Sequence, residues 1–249
     1  MNVNLLLLLL PLSLLLSCSP TRELAEPPQT YTPELRTMDT LYVEAPKPTE
    51  LKTAEEYRLQ RFNPSATRYF DLLHTKLDLR FDWEKQRALG VAELLLKPHF
   101  YPQDTLKLDA KNFDIHAVQL LQQDTTIDLP FRYDGMELQI ALGRPFKASE
   151  KVNVRIDYTA KPAERENIGG SAAIASDQGL FFINHDGKDK DKPQQIWTQG
   201  ETEYNSYWFP TIDKPNERTT QEIYLTVDTV FETLSNGLIV SSTDNGDGT

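Results

Sequence analysis

The chain has 249 residues, 39% of them hydrophobic and 25% charged, which is ordinary for a globular protein and enough for one large domain or two small ones. With 26 basic and 37 acidic residues the formal net charge is -11. That balance argues against a nucleic-acid partner, because phosphate neutralisation needs clustered Lys and Arg, and the single cysteine, Cys18, excludes an intrachain disulfide framework.

The chain opens on an apolar run, Leu5 to Leu16, broken only by Pro11 and Ser13. As a helix the run spans roughly 18 Å, well short of a hydrocarbon core of about 30 Å. It therefore reads as the apolar region of a signal peptide covering residues 1–17, although no Lys or Arg precedes it. Cys18 follows Leu15-Leu16-Ser17. That arrangement resembles the lipobox of bacterial lipoproteins, in which the cysteine is acylated and becomes the new N-terminus. The resemblance implies an exported protein held on a bacterial membrane, at its periplasmic or cell-surface face, by lipid on Cys18. Several acyl chains anchor stably where one would not.

Residues 18–65 read as a tether. Pro20, Pro27, Pro28, Pro33, Pro46 and Pro48 alternate with charges, a composition that cannot bury a core. Thr53-Ala54-Glu55-Glu56 has capping-box spacing, which predicts a short helix over Tyr57–Phe62 that Asn63-Pro64 ends. From about residue 66 the period becomes two. Leu73, Thr75, Leu77, Leu79, Phe81 and Trp83 are expected on one face of a strand, and Ala88, Gly90, Ala92, Leu94 and Leu96 on the strand that returns. Further strands are predicted at Thr105–Leu108, Phe113–Leu121, Met136–Leu142, Val152–Tyr158, Leu180–Asn184, Gln221–Thr229 and Leu238–Ser241. This density of short strands, with no long helical pattern between them, predicts an all-β domain over 66–249, a large antiparallel β-sandwich or open sheet. Asp244-Asn245-Gly246-Asp247-Gly248 reads as a hairpin turn, so the strand before it is expected at an unpaired edge and the polypeptide is expected to continue. His185-Asp186-Gly187-Lys188-Asp189-Lys190-Asp191 lacks the Gly and Glu spacing of a calcium loop and reads as a solvated loop.

The densest cluster of unusual residues is Trp197-Thr198-Gln199-Gly200-Glu201, then Tyr207-Trp208-Phe209-Pro210, then Asp213-Lys214-Pro215. Each piece alone is turn chemistry. Together they resemble the N-terminal domain of the aminopeptidase N family of zinc peptidases, which carries Thr-Gln-x-Glu, then Phe-Pro-x-x-Asp-x-Pro, then a strand. Here these are Thr198, Gln199 and Glu201, then Phe209, Pro210, Asp213 and Pro215, then Ile223 to Val227. Leu106–Ala110 and Val152–Tyr158 look like two strands of the same domain. Thr211 stands where the family often has Cys, and the usual basic residue before Phe-Pro is absent.

The resemblance implies a β-saddle packed over a thermolysin-like catalytic domain. It implies that Glu201 binds the free α-amine of a peptide, that Gln199 helps hold the first residue, and that the full-length enzyme uses zinc. A desolvated ammonium needs a paired anion, and a carboxylate at fixed depth also orients the first peptide bond. The family's zinc motif, His-Glu-x-x-His on a helix, has no match at His74, His99, His116 or His185, and no Gly-x-Met-x-Asn strand occurs. The chain is therefore expected to stop before the catalytic domain, to bind no metal and to be inactive alone. The rival from another class is a non-catalytic β-sandwich lipoprotein that binds a surface partner or glycan.

Overall fold

Alternating apolar residues build the sheets seen in a computed structural model, in which residues 65–123, 125–164 and 178–249 are described. The expected signal peptide, Cys18, the tether and the helix at 57–62 lie outside the described residues. Among the described residues the fold is all-β, with no α-helix and three sheets. The largest has six strands in the order β11 (Thr220–Leu225), β1 (Phe70–Asp82), β2 (Arg87–Pro98), β8 (Val152–Ala160), β4 (Phe113–Gln122), β5 (Thr125–Asp128). A second runs β3 (Gln103–Asp109), β7 (Glu137–Phe146), β6 (Phe131–Tyr133), and a third pairs β9 (Leu180–Ile183) with β10 (Gln195–Thr198).

One core joins the first two sheets. Leu77, Leu79, Leu94, Leu96, Val154 and Ile156 from the six-stranded sheet and Leu106, Leu108, Leu138 and Ile140 from the three-stranded one share a buried cluster. This is sandwich packing, each strand burying alternate side chains. Strand β8 buries Val152, Val154, Ile156, Tyr158 and Ala160 without a break. In β1 the expected face is half right. A β-bulge between Leu72 and His74 shifts the register, so Leu72 rather than Leu73 turns inward and Thr75, Leu77 and Leu79 follow in the new phase. A similar irregularity between Ile115 and Ala117 resets β4.

Two expectations are corrected. The pairing is not wholly antiparallel, because β11 joins the edge of β1 in parallel, Leu77 opposite Ile223. Such a pairing needs a long connection rather than a hairpin, and here most of the domain separates the two strands. The predicted strand at Leu238–Ser241 does not form. After β11 the chain runs to Thr249 without a strand, and Leu234, Leu238 and Val240 are exposed. No described strand lies in register to receive those backbone groups. The turn near the end does form, with Gly246 N–H donating to Asp244 Oδ1 and Thr249 N–H to Asp247 Oδ1.

Tyr158 links this core to the functional region. Its ring is fully buried and stacks on Phe113 at 5.0 Å. Its hydroxyl donates to the Trp208 carbonyl at 3.0 Å. Gly90 makes room for it, since a Cβ there would fall 2.4 Å from Tyr158 Cζ. Burial pushes the phenol pKa up.

Candidate functional site

The motif residues occupy one continuous excursion between β10 and β11. Trp197 and Thr198 are the last residues of β10, opposite Phe181 and Leu180, and the Trp197 indole stacks on Phe181 at 4.6 Å. Gln199 then leaves the sheet, its N–H donating to the Gly179 carbonyl at 2.9 Å. Gly179 sits at φ +71°, and a Cβ there would strike the Tyr204 carbonyl at 2.0 Å. Gly200 lies against the Asn205 side chain, where a Cβ would come within 2.4 Å of Oδ1. The turn closes when Tyr204 N–H donates to the Gly200 carbonyl at 3.1 Å, and a 3-10 turn follows over Asn205–Tyr207. Glu201 stands at the outside of this turn, joined to Thr202 by a cis peptide bond.

The two residues expected to read a substrate therefore share one tight turn. Gln199 is half-buried and Glu201 is exposed. Glu201 forms no ion pair with any described residue, unlike Glu203, whose carboxylate meets Lys214 Nζ at 2.8 Å. A carboxylate kept outside the local ion-pair network on a constrained turn is available to a cation from elsewhere.

The second half of the motif is built differently. Trp208, Phe209 and Pro210 are buried, and the Trp208 and Phe209 rings meet edge to face at 4.4 Å. Thr211 is buried and pairs with Asp109 at the end of β3, through N–H to carbonyl bonds of 2.8 and 3.1 Å. Asp213 is 6% exposed. Its Oδ2 accepts the Ser206 N–H at 2.9 Å, and its own N–H donates to Asp109 Oδ2 at 3.0 Å. Burial raises the Asp213 carboxyl pKa above the usual range, against the lowering effect of the Ser206 bond. Asp213 is thus a cap for the 3-10 turn, and the Phe-Pro-x-x-Asp segment is a fastening.

Sequence reasoning missed several residues that hold this region. Lys111 donates its N–H to the Ser206 carbonyl at 2.7 Å and its Nζ to the Glu203 carbonyl at 2.8 Å. Tyr133 on β6 takes the Phe113 N–H and donates to the Ala110 carbonyl, fixing the chain on both sides of Lys111. Glu217 accepts from Arg68 Nε and Nη2 and from Leu72 N–H, tying the chain ahead of β11 to the start of β1. A cleft of about 200 Å³ opens between these parts, lined by Thr202, Asn205, Asp213, Lys214, Glu217 and Gln221 among others. The one available hint was a charged Asp109-Ala110-Lys111 closing the buried alternation of Leu106 and Leu108.

Zinc was expected only in a full-length enzyme. Among the described residues no group of three or more His, Cys, Asp or Glu could hold a metal ion. In the His185–Asp191 loop, Lys188 pairs with Asp186 at 2.7 Å and the Asn184 amide donates to the Asp189 and Lys192 carbonyls.

The chain belongs to the peptidase M1 N-terminal domain family, whose model matches residues 68–249. Its fold is that of solved M1 zinc metallopeptidases. A two-domain M1 zinc metallopeptidase mutant bound to L-arginine superposes with a TM-score of 0.60 at 19% identity, over 75% of this chain and 39% of that one. The M1 zinc metallopeptidase from Deinococcus radiodurans gives 0.58 at 18% identity, over 74% and 38%. Yeast LTA4 hydrolase gives 0.50 at 19% identity, over 71% and 27%. The chain therefore spans well under half the length of these proteins. No curated protein matches it.

Proposed function

We propose that this chain is the N-terminal, substrate-amine-binding domain of a zinc-dependent aminopeptidase that releases N-terminal residues from peptides. The zinc and the reacting centre would belong to a catalytic domain outside these 249 residues, without which the chain would be inactive. The observation that carries this reading is Glu201, exposed and without an ion-pair partner among the described residues, on a turn that is fastened on both sides.

Charge pairing explains why such a site needs a cover. Two opposite charges 4 Å apart attract by about 1 kcal/mol in bulk water and by several times more where water is excluded. Glu201 in the open turn would bind an ammonium only weakly. A second surface closing over it would make the same pair strong, and would limit binding to peptides with a free N-terminus. Gln199, two residues away, offers an amide that can donate or accept beside the first residue.

Glu201→Ala in the full-length enzyme tests this. Removing one member of a buried charge pair costs about 3–5 kcal/mol, so kcat/KM for free-amine substrates should fall by roughly two to four decades. The melting temperature should change little, because an exposed side chain outside the ion pairs of the described residues contributes within about 0.5 kcal/mol. Near wild-type turnover would refute the assignment. We further propose export and lipid anchoring through Cys18. Cys18→Ser should move the protein from the membrane to the soluble fraction or leave its leader uncleaved, and unchanged processing and fractionation would make Cys18 a bystander.

A further inference from the structure

Lys111 lies far from Glu201 in sequence but hydrogen-bonds to the turn that carries it. A closed ring of hydrogen bonds runs from Asp109 Oδ2 to the Asp213 N–H, from Asp213 Oδ2 to the Ser206 N–H, and from the Ser206 carbonyl to the Lys111 N–H, two residues from where it began. The side chain of Lys111 then leaves the ring. Its Nζ reaches the Glu203 carbonyl at 2.8 Å and lies over the Tyr207 ring, 4.8 Å from the centroid. Charge-assisted bonds of this kind are among the stronger ones. The ammonium therefore grips the main chain on the far side of the turn, two residues past Glu201, while the Gly200 carbonyl is held from within by Tyr204. The base of this grip is rigid. Ala110 and Asn112 donate their N–H groups to the Met136 and Gly135 carbonyls, and the Asn112 amide donates to the Lys161 carbonyl.

We propose that Lys111 is a positioning residue for the amine-binding carboxylate. It fixes the Gly200–Ser206 turn so that Glu201 is presented at one depth to a peptide ammonium. The inference rests on the reading of Glu201 as the amine site. Its chemistry is specific, because a carbonyl already engaged by Lys111 cannot swing outward, and an error of about 1 Å in a positioned group can cost about a hundredfold in rate.

The test is a double-mutant cycle in the full-length enzyme with Lys111→Met, Lys111→Arg and Glu201→Ala. Lys111→Met should lower kcat/KM for free-amine substrates by about ten- to a hundredfold, and Lys111→Arg, which keeps a charged donor, should recover most of the loss. In the Glu201→Ala background Lys111→Met should change kcat/KM by no more than about twofold, whereas independent sites would give additive losses. Hydrogen exchange over residues 200–207 should accelerate in Lys111→Met and remain slow in Lys111→Arg. Additive losses, or wild-type exchange and activity in Lys111→Met while Glu201→Ala is impaired, would overturn the positioning role alone. Full activity of Glu201→Ala would overturn the amine site itself, and the positioning role with it.

Discussion

Residues 198–201 and residues 206–213 belong to one stretch of motif, yet the fold treats them oppositely. In the second segment Ser206, Trp208, Phe209, Pro210, Thr211 and Asp213 are all buried. The Asp213 carboxylate is occupied by a main-chain amide. In the first segment Gln199 is half-buried, Glu201 is exposed, and the Glu201 carboxylate pairs with no described residue. Two acids twelve positions apart therefore do different work. Asp213 uses its hydrogen-bonding capacity inside the domain, and the Glu201 carboxylate stays outside the ion pairs of the described residues. A family motif read only as a string gives both acids equal standing, and burial separates them.

The largest effect expected on stability comes from the buried half. Asp213→Ala leaves the Ser206 N–H without an acceptor in a buried position, which costs about 1–3 kcal/mol. For a domain of this size that is about 2–4 °C of melting temperature per kcal/mol. The 3-10 turn should loosen, and activity of the full-length enzyme should fall as a consequence of disorder around Glu201. A thermal melt indistinguishable from wild type would erase the contrast between the two acids.

A smaller effect separates the charge of Asp213 from its role as acceptor. Burial raises this carboxyl pKa above its ordinary 3.8, so the folded chain holds the proton to higher pH than the unfolded chain does. Stability from that proton is complete below about 3.8 and is lost as pH rises through the folded value. Asp213→Asn keeps an acceptor for Ser206 and has no titration. The unfolding free energy of wild type minus that of Asp213→Asn should therefore decline as pH rises from acid toward neutral, read by urea melts across that range. A difference that grows with pH would mean that the Ser206 bond and the Lys111 charge outweigh burial.

Much of this was legible in advance, for reasons that also explain what was not. Period-two alternation marked β2 and β8 because one face of each is buried along its whole length, with Gly90 and Tyr158 falling on that face. The same signal misplaced Leu73, because a bulge adds a residue without any local signature and changes the phase beyond it. Strands β5, β6 and β10 are three or four residues long, too short to establish a period. The parallel addition of β11 to β1 depends on packing across the domain, which no window of sequence contains. Gln199 and Glu201 were visible only through the family motif. Lys111 showed in the sequence only as a charge closing the alternation of Leu106 and Leu108, since it bonds the main chain at Glu203, 92 residues away, and main-chain carbonyls carry no sequence identity. The apolar residues near Val240 look like a strand by composition and remain exposed coil, because a strand needs a neighbour as well as a propensity.

The smallest effect is expected at Glu203, and it discriminates most finely. Its side chain and its main chain serve different partners. The carboxylate pairs with Lys214 at 2.8 Å, where both side chains are about a third exposed, 39% and 32%. Pairs of that exposure contribute about 0–1 kcal/mol. The carbonyl accepts Lys111, and that bond survives any substitution that leaves the backbone in place. Glu203→Ala should therefore lower stability by no more than about 1 kcal/mol and lower kcat/KM by much less than Glu201→Ala does. The two variants remove the same chemical group from neighbouring positions of one turn, so a general electrostatic effect of losing an acid would appear in both. If Glu203→Ala falls as far as Glu201→Ala, the conformation of the turn, and not the Glu201 carboxylate, carries substrate recognition, and the exposed half of the motif is as structural as the buried one.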